Sequence, residues 1–278
     1  MFSHGPDLEN LQNNIPVKLI STPKCDLKKC CEEDIISEIV SANMEDYDNF
    51  PVVKTDNVGE ERIIGLLNVT NLKDDKFSSS TVKEKMEPLS EKNLIGADAS
   101  ILNYIKSAKS AECRLLVSGI EISGMVCLSD LQKLPVRSAI FALITNLEQI
   151  MSSLITDKGI NFEVWKNYLG TSRIKSIKEE IEKSISQGSF VSELLFTNFN
   201  DKILILDKIS ERTTLSVSVS SELKIIKLLR NKICHGNNYA YTTTDAKKFI
   251  TDVELCQTLS YSLRSKMSPD KGSVLPAQ

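Results

Sequence analysis

The first half of the chain contains an internal repeat, and this repeat constrains the fold more than any other feature. In each copy a short apolar helix is followed by two apolar strands, and a glycine occupies the matching position of the second strand. The two glycines are Gly65 and Gly124, so the copies are 124 − 65 = 59 residues apart. A duplication of this size predicts two small units that bury their apolar faces against each other.

Apolar periodicity gives the elements of each copy. The first copy is predicted to contain a helix, a strand, a polar hairpin loop, a second strand and the start of a closing helix, over 35–40, 50–53, 54–62, 63–69 and from Asn71. The second copy repeats this order, with a helix capped by Asp98, strands over 114–117 and 125–128, and a closing helix from Asp130.

The pattern changes at Pro135, where we place a domain boundary. From Ser138 to Ile155 apolar residues recur at helical spacing. Further helical patterns follow over 162–169, 174–185 with Ser172 as the cap, 194–209 and 249–263, although 203–206 alone also fits a strand. These elements predict a helical bundle around one core.

The composition is typical of a soluble globular protein. The chain has 278 residues, of which 41% are hydrophobic and 26% are charged, and its formal net charge is −3. This length favours two domains. The acidic balance argues against a protein that coats nucleic acid nonspecifically, although it leaves room for a local basic groove.

The seven cysteines, with no secretory signal, predict reduced thiols in a cytoplasmic protein. Cys25, Cys30 and Cys31 are clustered, but no second Cys/His cluster lies at ligand spacing, so we predict no metal site. No apolar run approaches the length of a membrane span, so we expect no membrane partner.

A helix is predicted before Gly236, in the stretch that holds the only histidine outside the N-terminal tail. Ser221 is its expected N-cap, and Gly236 is the expected stop. The apolar residues expected to face the core are Ile225, Ile226, Leu229 and Ile233.

Three polar side chains at the end of this helix have the chemistry of a phosphoryl-transfer site. Helical spacing places Asn231 and His235 one turn apart on one strip, with Arg230 at its edge. Imidazole can accept or donate a proton near neutral pH, guanidinium matches a phosphate, and an amide can orient a neighbour. Spacing alone, however, favours an ordinary C-capping arrangement.

The run from Arg230 to His235 has the Arg-Asn-x-x-x-His pattern and resembles the HEPN superfamily. The resemblance implies an all-helical bundle, often dimeric, and in many members a metal-independent endoribonuclease without a catalytic cofactor. Arg230 would then hold the phosphate of RNA, His235 would act as acid or base, and Asn231 would position them. Two such sites would meet across a homodimer and leave 2′,3′-cyclic phosphate ends. Some relatives carry a tyrosine where this chain has Asn237, which departs from the antitoxin-regulated subtype.

Glu148 is a candidate supporting residue. In HEPN bundles a polar residue of an early helix often supports the arginine and histidine, so the resemblance offers Glu148 as a partner of Arg230. Glu148 lies at the edge of the apolar stripe, however, and its position favours a solvated helix residue.

The segments 65–72 and 124–131 resemble the closing strand and helix of CBS motifs, and Phe50-Pro51-Val52-Val53 is similar to the first hairpin strand of that family. The resemblance implies a tandem, Bateman-type α/β module that binds an adenine nucleotide or a related adenosyl ligand between its copies. The residues implied in binding are Asp130, which would contact the ribose, Cys127, which stands at the usual Ser/Thr position, and Pro51. Asp130 is equally well explained as a helix N-cap.

Together these resemblances predict an α+β protein with a tail over 1–15, a CBS pair over 16–134, a HEPN bundle over 135–266 and a tail over 267–278. The expected function is a HEPN endoribonuclease regulated by a nucleotide, with a role in stress or phage defence by analogy only. The alternative is a non-catalytic nucleotide-sensing, RNA-binding or assembly protein with an inactive bundle.

Overall fold

The structure is a computed structural model that describes residues 14–70, 72, 79–189, 192–210 and 218–267. The chain divides into two compact units. Among the described residues, the first unit contains 14–136 and 240–246, and the second contains 137–239 and 247–267. The predicted N-terminal and C-terminal tails lie almost entirely outside the described residues.

The first unit contains two four-stranded sheets. Its described strands are β1 (Thr22–Pro23), β2 (Cys30–Cys31), β3 (Asn49–Thr55), β4 (Glu61–Asn68), β5 (Glu87–Pro88), β6 (Leu94–Gly96), β7 (Cys113–Ser118) and β8 (Glu121–Cys127). The sheet orders are β2-β3-β4-β5 and β1-β8-β7-β6. In each sheet one edge strand, β2 or β6, is parallel to the first strand of the long hairpin, and the other edge strand, β5 or β1, is antiparallel to the second strand of the hairpin.

The two sheets confirm the predicted duplication. Both hairpins carry a bulge, between Val52 and Val53 in the first copy and between Leu116 and Val117 in the second. Val52 lies opposite Gly65, and Leu116 lies opposite Gly124. The second hairpin is (65 − 52) − (124 − 116) = 5 residues shorter, because β7 and β8 are joined by a tight turn at Gly119, whose φ is +61°.

In each copy the segment at its N-terminal end, called here the leading segment, pairs with the sheet of the other copy. Segment 16–23 contains β1 and pairs with β8 of the second copy, whereas segment 81–88 contains β5 and pairs with β4 of the first. Equivalent backbone hydrogen bonds fix the two exchanges: Val17 N donates to Ala99 O at 2.7 Å, and Val82 N donates to Asp34 O at 2.9 Å. The leading segments are thus 82 − 17 = 65 residues apart.

Glycine is required where an exchanged segment crosses the hairpin. A Cβ atom on Gly65 would lie 2.5 Å from the carbonyl oxygen of Glu87, and one on Gly124 would lie 2.6 Å from that of Thr22. Such distances are far inside van der Waals contact, so any larger residue would push the edge strand away from its sheet.

The copies share one core. Val53, Ile63 and Leu66 of the first copy are buried in the same apolar cluster as Cys113 and Leu115 of the second. Burial of this shared surface is what the duplication predicted, because neither sheet covers its own apolar face.

The helices of the first unit are α1 (Ile36–Ala42), α2 (Val82–Lys85) and α3 (Ile101–Ser107). The N-cap of α3 is Ser100, not the predicted Asp98, because the Ser100 hydroxyl accepts a hydrogen bond from Asn103 N at 3.1 Å. The hairpin loop predicted over 54–62 is shorter, since β3 continues to Thr55. The closing helix predicted from Asn71 lies outside the described residues.

The second unit is helical, and the α+β class predicted for the chain is confirmed at this level. Its described helices are α4 (Leu134–Asp157), α5 (Phe162–Trp165), α6 (Thr171–Ser186), α7 (Phe199–Ser210), α8 (Ser218–Cys234) and α9 (Thr243–Ser265). Trp165, Phe199 and Phe249 are among its fully buried side chains. Residues 203–206 belong to α7, so the strand alternative is wrong.

Two predicted helix starts are wrong. Helix α4 begins at Leu134, before Ser138, because a proline such as Pro135 is well tolerated in a first turn, where its missing N–H has no helical partner. Helix α6 begins at Thr171 after Gly170, so Ser172 lies inside the helix and does not cap it.

Helix α4 also corrects the expectation that no segment approaches a membrane span. It has 24 residues, and one window reaches a mean hydropathy of 1.3, so its length and composition alone would allow it to cross a bilayer. Within the protein 56% of that window is buried, as in the core helix of a bundle.

We expect Gly65→Ala or Gly124→Ala to lower the free energy of unfolding by about 1–3 kcal/mol, because the added methyl group overlaps a backbone carbonyl. Gly170→Ala is the matched control, since Gly170 has a φ of −66° and open space around it. Denaturant unfolding of the three variants measures the difference, and equal stabilities would contradict the close approach.

Candidate functional site

The helix that carries the Arg-Asn-x-x-x-His pattern is amphipathic, but its exposed face is partly apolar. Ile226, Leu229 and Ile233 are buried as predicted. Ile225 is 38% exposed and Leu228 is 64% exposed, so Ile225 does not face the core as expected. Ser221 is not an N-cap either, because α8 already includes Ser218.

The helix ends in a backbone cap. His235 N donates to Asn231 O at 3.1 Å, Asn237 N donates to Lys232 O at 3.2 Å, and Gly236 has a φ of +69°. This is the hydrogen-bond pattern of a Schellman motif, in which glycine adopts the left-handed conformation. The helix therefore ends at Cys234, because Gly236 turns the backbone out of the helical conformation. The described hydrogen bonds of this cap involve backbone atoms, and the imidazole of His235 is exposed.

Arg230 and His235 differ in their position around α8 and in their exposure. Five residues separate them, so an ideal helix turns them about 140° apart. Arg230 and Asn231 are half-buried, whereas His235 is exposed. Among the described side chains, no hydrogen bond joins Arg230 to His235. The joint site of Arg230, Asn231 and His235 stays a prediction.

Arg137 holds the end of this helix, and sequence analysis missed it. Its guanidinium donates to Gly236 O at 3.2 Å and to Asn237 O at 2.9 Å, with longer bonds of 3.5 Å to the carbonyls of Lys232 and Ile233. A fork of donors on a permanently charged group suits the negative end of a helix dipole. Because about 100 residues separate the partners, no local pattern could have revealed the contact.

The same guanidinium packs on Tyr239. Its carbon lies 4.8 Å from the centre of the Tyr239 ring, which in turn packs against the ring of Phe249 at 4.6 Å. Burial raises the pKa of Tyr239 to about 12, while the charge of Arg137 acts in the opposite direction. The loop after His235 is thus anchored within the second unit by a stacked arginine and tyrosine.

Glu148 pairs with a lysine and not with Arg230. Its carboxylate accepts a hydrogen bond from Lys202 Nζ at 2.8 Å, and that ammonium also donates to Thr197 O at 2.7 Å. The side chain of Lys202 is only 6% exposed and that of Glu148 is 23% exposed. Glu148 therefore supplies the counter-charge that the buried ammonium of Lys202 requires. It is neither a solvated residue nor a partner of Arg230 in this structure.

The first unit contains a cleft of about 500 Å³ between the ends of its two hairpins. The first copy contributes Asp48, Asn49, Asn68 and Thr70, and the second contributes Glu112, Met125 and residues 127–130. Asp130 and Cys127, predicted from the CBS resemblance, both line this cleft. Pro51 does not line it, since it lies further along β3, buried opposite Leu66.

Asp130 is not the predicted N-cap, because the N-cap residue is Cys127 and Asp130 is the third residue of the turn. Its carboxylate accepts from Cys127 N at 2.7 Å and from Lys133 Nζ at 2.8 Å, and Lys133 also donates to Ile20 O. The element is a 3-10 turn over Leu128–Gln132 and not the start of an α-helix. Burial raises the pKa of Asp130, whereas the bonds from Lys133 and Cys127 N lower it. The carboxylate thus completes a capping box from the third position, and a ribose would have to bind its remaining lone pairs.

The cleft is strongly acidic. Its lining carries five carboxylates and one lysine: Asp26, Asp46, Asp48, Glu112 and Asp130 against Lys28. The remaining polar groups are amides, hydroxyls and backbone atoms. The lining therefore disfavours a free polyphosphate and accepts neutral or cation-bound groups.

Segment 240–246 also lines the cleft, which the sequence did not indicate. This segment comprises the end of the α8–α9 connection and the first turn of α9, and it belongs to the first unit, although the residues on both sides of it belong to the second. Its lining residues are Ala240, Tyr241, Thr242, Thr243 and Ala246. Thr242 is fixed by Asp245, whose carboxylate accepts from the Thr242 hydroxyl at 2.8 Å.

Solved structures similar to this chain are CBS domains. The CBS domain of a bacterial CNNM/CorC family Mg²⁺ transporter in complex with ATP is 16% identical, with a TM-score of 0.37, and the match covers 45% of this chain and 89% of that one. The CBS domains of a transcriptional regulator from Streptococcus pneumoniae are 18% identical, with a TM-score of 0.34 and coverages of 42% and 96%.

A hemolysin-like protein containing a CBS domain, from Oenococcus oeni, is 13% identical, with a TM-score of 0.35 and coverages of 45% and 93%. No family model matches the sequence, and no curated protein matches it significantly. The similarity lies in the N-terminal part of the chain and concerns the fold, so the HEPN resemblance of the helical unit stays a prediction.

We expect Glu148→Ala to lower the free energy of unfolding by about 2–3 kcal/mol, because it leaves the buried ammonium of Lys202 without its counter-charge. The double variant Glu148→Ala/Lys202→Met should recover most of this loss. Denaturant unfolding of the single and double variants completes the cycle. If Glu148 instead supports Arg230, Glu148→Ala will leave stability unchanged.

Proposed function

We propose that the first unit is a nucleotide sensor of the CBS type and that it regulates the helical unit. The observation that carries the proposal is the cleft between the two hairpin ends, which is lined by Asp130 of one copy and by Asn68 and Thr70 of the other. These groups can hydrogen-bond the hydroxyls of a ribose and the edge of a base. A volume of about 500 Å³ also suits a ligand of nucleoside size.

The acidic lining supports a particular mode of binding. A nucleoside presents no negative charge, so its ribose and base can enter beside Asp130 without repulsion. A triphosphate carries several negative charges and needs a divalent cation to approach five carboxylates. We therefore infer that ATP binds as its Mg²⁺ complex.

We further propose that the helical unit is a metal-independent endoribonuclease of the HEPN type, acting as a homodimer in the cytoplasm. His235 is exposed, and Leu228 lies about 20° from it on an ideal helix, seven residues earlier. Leu228 and Ile225 therefore give the face of α8 around His235 an apolar character. A second copy of the chain packed on this face would bury both residues and bring two His235 side chains together.

The proposed reaction needs three groups. A base takes the proton of the ribose 2′-hydroxyl, which attacks the adjacent phosphorus, and an acid protonates the departing 5′-oxygen. Two histidines from two protomers can fill these roles, and Arg230 supplies positive charge to the phosphate. The separation of Arg230 and His235 around one helix supports a site that is completed only by the partner, with Asn231 holding the two in place.

One observation favours the alternative of a non-catalytic sensor or assembly protein. The end of α8 is held by its own backbone and by Arg137, so the helix is fully capped without the motif side chains. Arg230 and His235 could then bind RNA without cleaving it. A role in stress or phage defence would follow from ribonuclease activity alone.

For the sensor, we expect ATP to bind at least about tenfold more tightly with Mg²⁺ than in EDTA, because the cation screens the carboxylates of the cleft. Calorimetric titration measures both affinities. Asp130→Asn keeps an acceptor for Cys127 N but should weaken ATP binding. Asp98 is an exposed carboxylate outside the cleft, so Asp98→Asn should leave ATP binding unchanged. Equal affinities for both variants would move the ligand away from Asp130.

For the nuclease, we expect the protein to cleave single-stranded RNA in EDTA and to leave 2′,3′-cyclic phosphate ends. His235→Ala should slow cleavage by about 100-fold or more, because a proton-transfer group is lost. His4→Ala replaces the only other histidine of the chain and is the matched control. Labelled RNA and end-group analysis provide the measurement.

The outcomes separate the two proposals. Cleavage that persists in His235→Ala removes the histidine assignment, and tight RNA binding without cleavage supports the non-catalytic alternative. Nucleotide binding is measured independently, so the sensor proposal is tested separately from the nuclease proposal.

A further inference from the structure

Two cysteines face each other across the second hairpin. Cys113 opens β7 and Cys127 ends β8, and the two residues are direct partners in the antiparallel register. Their sulfur atoms lie 3.0 Å apart, and all seven cysteines of the chain are free thiols.

The backbone already has the geometry of a disulfide. Residues directly opposite in an antiparallel pair have Cα atoms about 4.5–5.5 Å apart, which lies inside the usual disulfide range of about 4.4–6.8 Å. The side chains also point toward each other, as the sulfur distance shows. A bond between them would need little movement of either strand.

The two thiols differ in their exposure. Cys127 is partly exposed and lines the acidic cleft, whereas Cys113 is buried in the core shared by the copies. The hydrogen bond with Cys127 and then burial hold the pKa of Cys113 well above its usual range. A small oxidant can therefore reach Cys127 from the cleft, and Cys113 is kept as a thiol until Cys127 has reacted.

We propose that Cys113 and Cys127 are a site of oxidative modification, which a peroxide converts to an intramolecular disulfide at the wall of the cleft. The Cys127 sulfur attacks the O–O bond of hydrogen peroxide and becomes a sulfenic acid, releasing one water. The Cys113 sulfur then attacks the Cys127 sulfur, and the hydroxyl leaves as a second water. Two thiols and one peroxide thus give one disulfide and two waters, with the peroxide as the oxidant.

The other cysteines do not form such a pair. Cys30 and Cys31 are neighbours in β2, where successive side chains point to opposite faces, and Cys30 is buried while Cys31 is exposed. Cys25 and Cys234 are exposed in different units, and Cys256 is buried in α9. Among the described residues, a cross-strand pair therefore occurs only at Cys113 and Cys127.

Oxidation would act on the cleft directly. Cys127 N donates the bond that holds the Asp130 carboxylate, so the disulfide would tie the hydrogen-bond donor of Asp130 covalently to β7. The proposal rests on the sulfur geometry and does not depend on the ligand of the cleft. A change in nucleotide affinity on oxidation would be an additional effect.

The test is mass spectrometry of the full-length protein after brief exposure to hydrogen peroxide. Free thiols are alkylated under denaturing conditions, and the protein is digested with trypsin. Cleavage after Lys109, Arg114 and Lys133 places Cys113 and Cys127 in separate peptides, 110–114 and 115–133. We expect these peptides to be linked, with a mass about 2 Da below their sum because two hydrogens are lost.

Cys113→Ala should abolish the linked pair and leave Cys127 as a sulfenic acid that a dimedone-type reagent captures. Cys234→Ser removes an exposed thiol and should leave the linked pair unchanged. The proposal is overturned if both cysteines remain fully alkylated at a peroxide dose that oxidises Cys31 or Cys234. If Cys113→Ala fails to fold, the peptide map of the parent protein still decides.

Discussion

The exchange of leading segments between the two copies is the interaction on which the first unit depends. Segment 16–23 completes the sheet of the second copy, and segment 81–88 completes that of the first, so neither four-stranded sheet forms from one copy alone. Val17 and Val82, counterparts in the repeat, are both fully buried by the exchange. The cleft depends on it as well, because Thr22 of the first exchanged strand forms part of its wall.

The sequence predicted the duplication and the long hairpins, since β3 and β7 are buried over four successive residues and read as continuous apolar runs. It did not predict the exchange. β1 and β5 have two residues each, too few for any periodic pattern. The spacing of 59 residues between Gly65 and Gly124 also concealed the spacing of 65 between the leading segments, and the shorter second hairpin accounts for five of these six residues. Local patterns identified the elements, whereas pairing between distant segments required the fold.

In the helical unit, too, local features could be predicted from the sequence and contacts between distant residues could not. The end of α8 at Gly236 could be predicted, because a left-handed residue after a helix favours glycine. The group that holds this end, Arg137, could not be predicted, since its partners are distant in sequence and lie on backbone atoms that any residue provides. Glu148 was singled out by its position on α4, but only the fold shows that Lys202 needs its charge.

Segment 240–246 gives the proposed regulation a physical route. Tyr239, which follows α8, is packed against Arg137 in the second unit, and the next seven residues, which include the first turn of α9, belong to the first unit. The proposed ligand would touch this segment directly, because Tyr241 and Thr242 line the cavity. Ligand binding can alter the environment of His235 only if the ligand favours one arrangement of the segment over another. A ligand that contacts β-strand residues alone has no such preference, so control of the helical unit should depend on contacts with Tyr241 and Thr242.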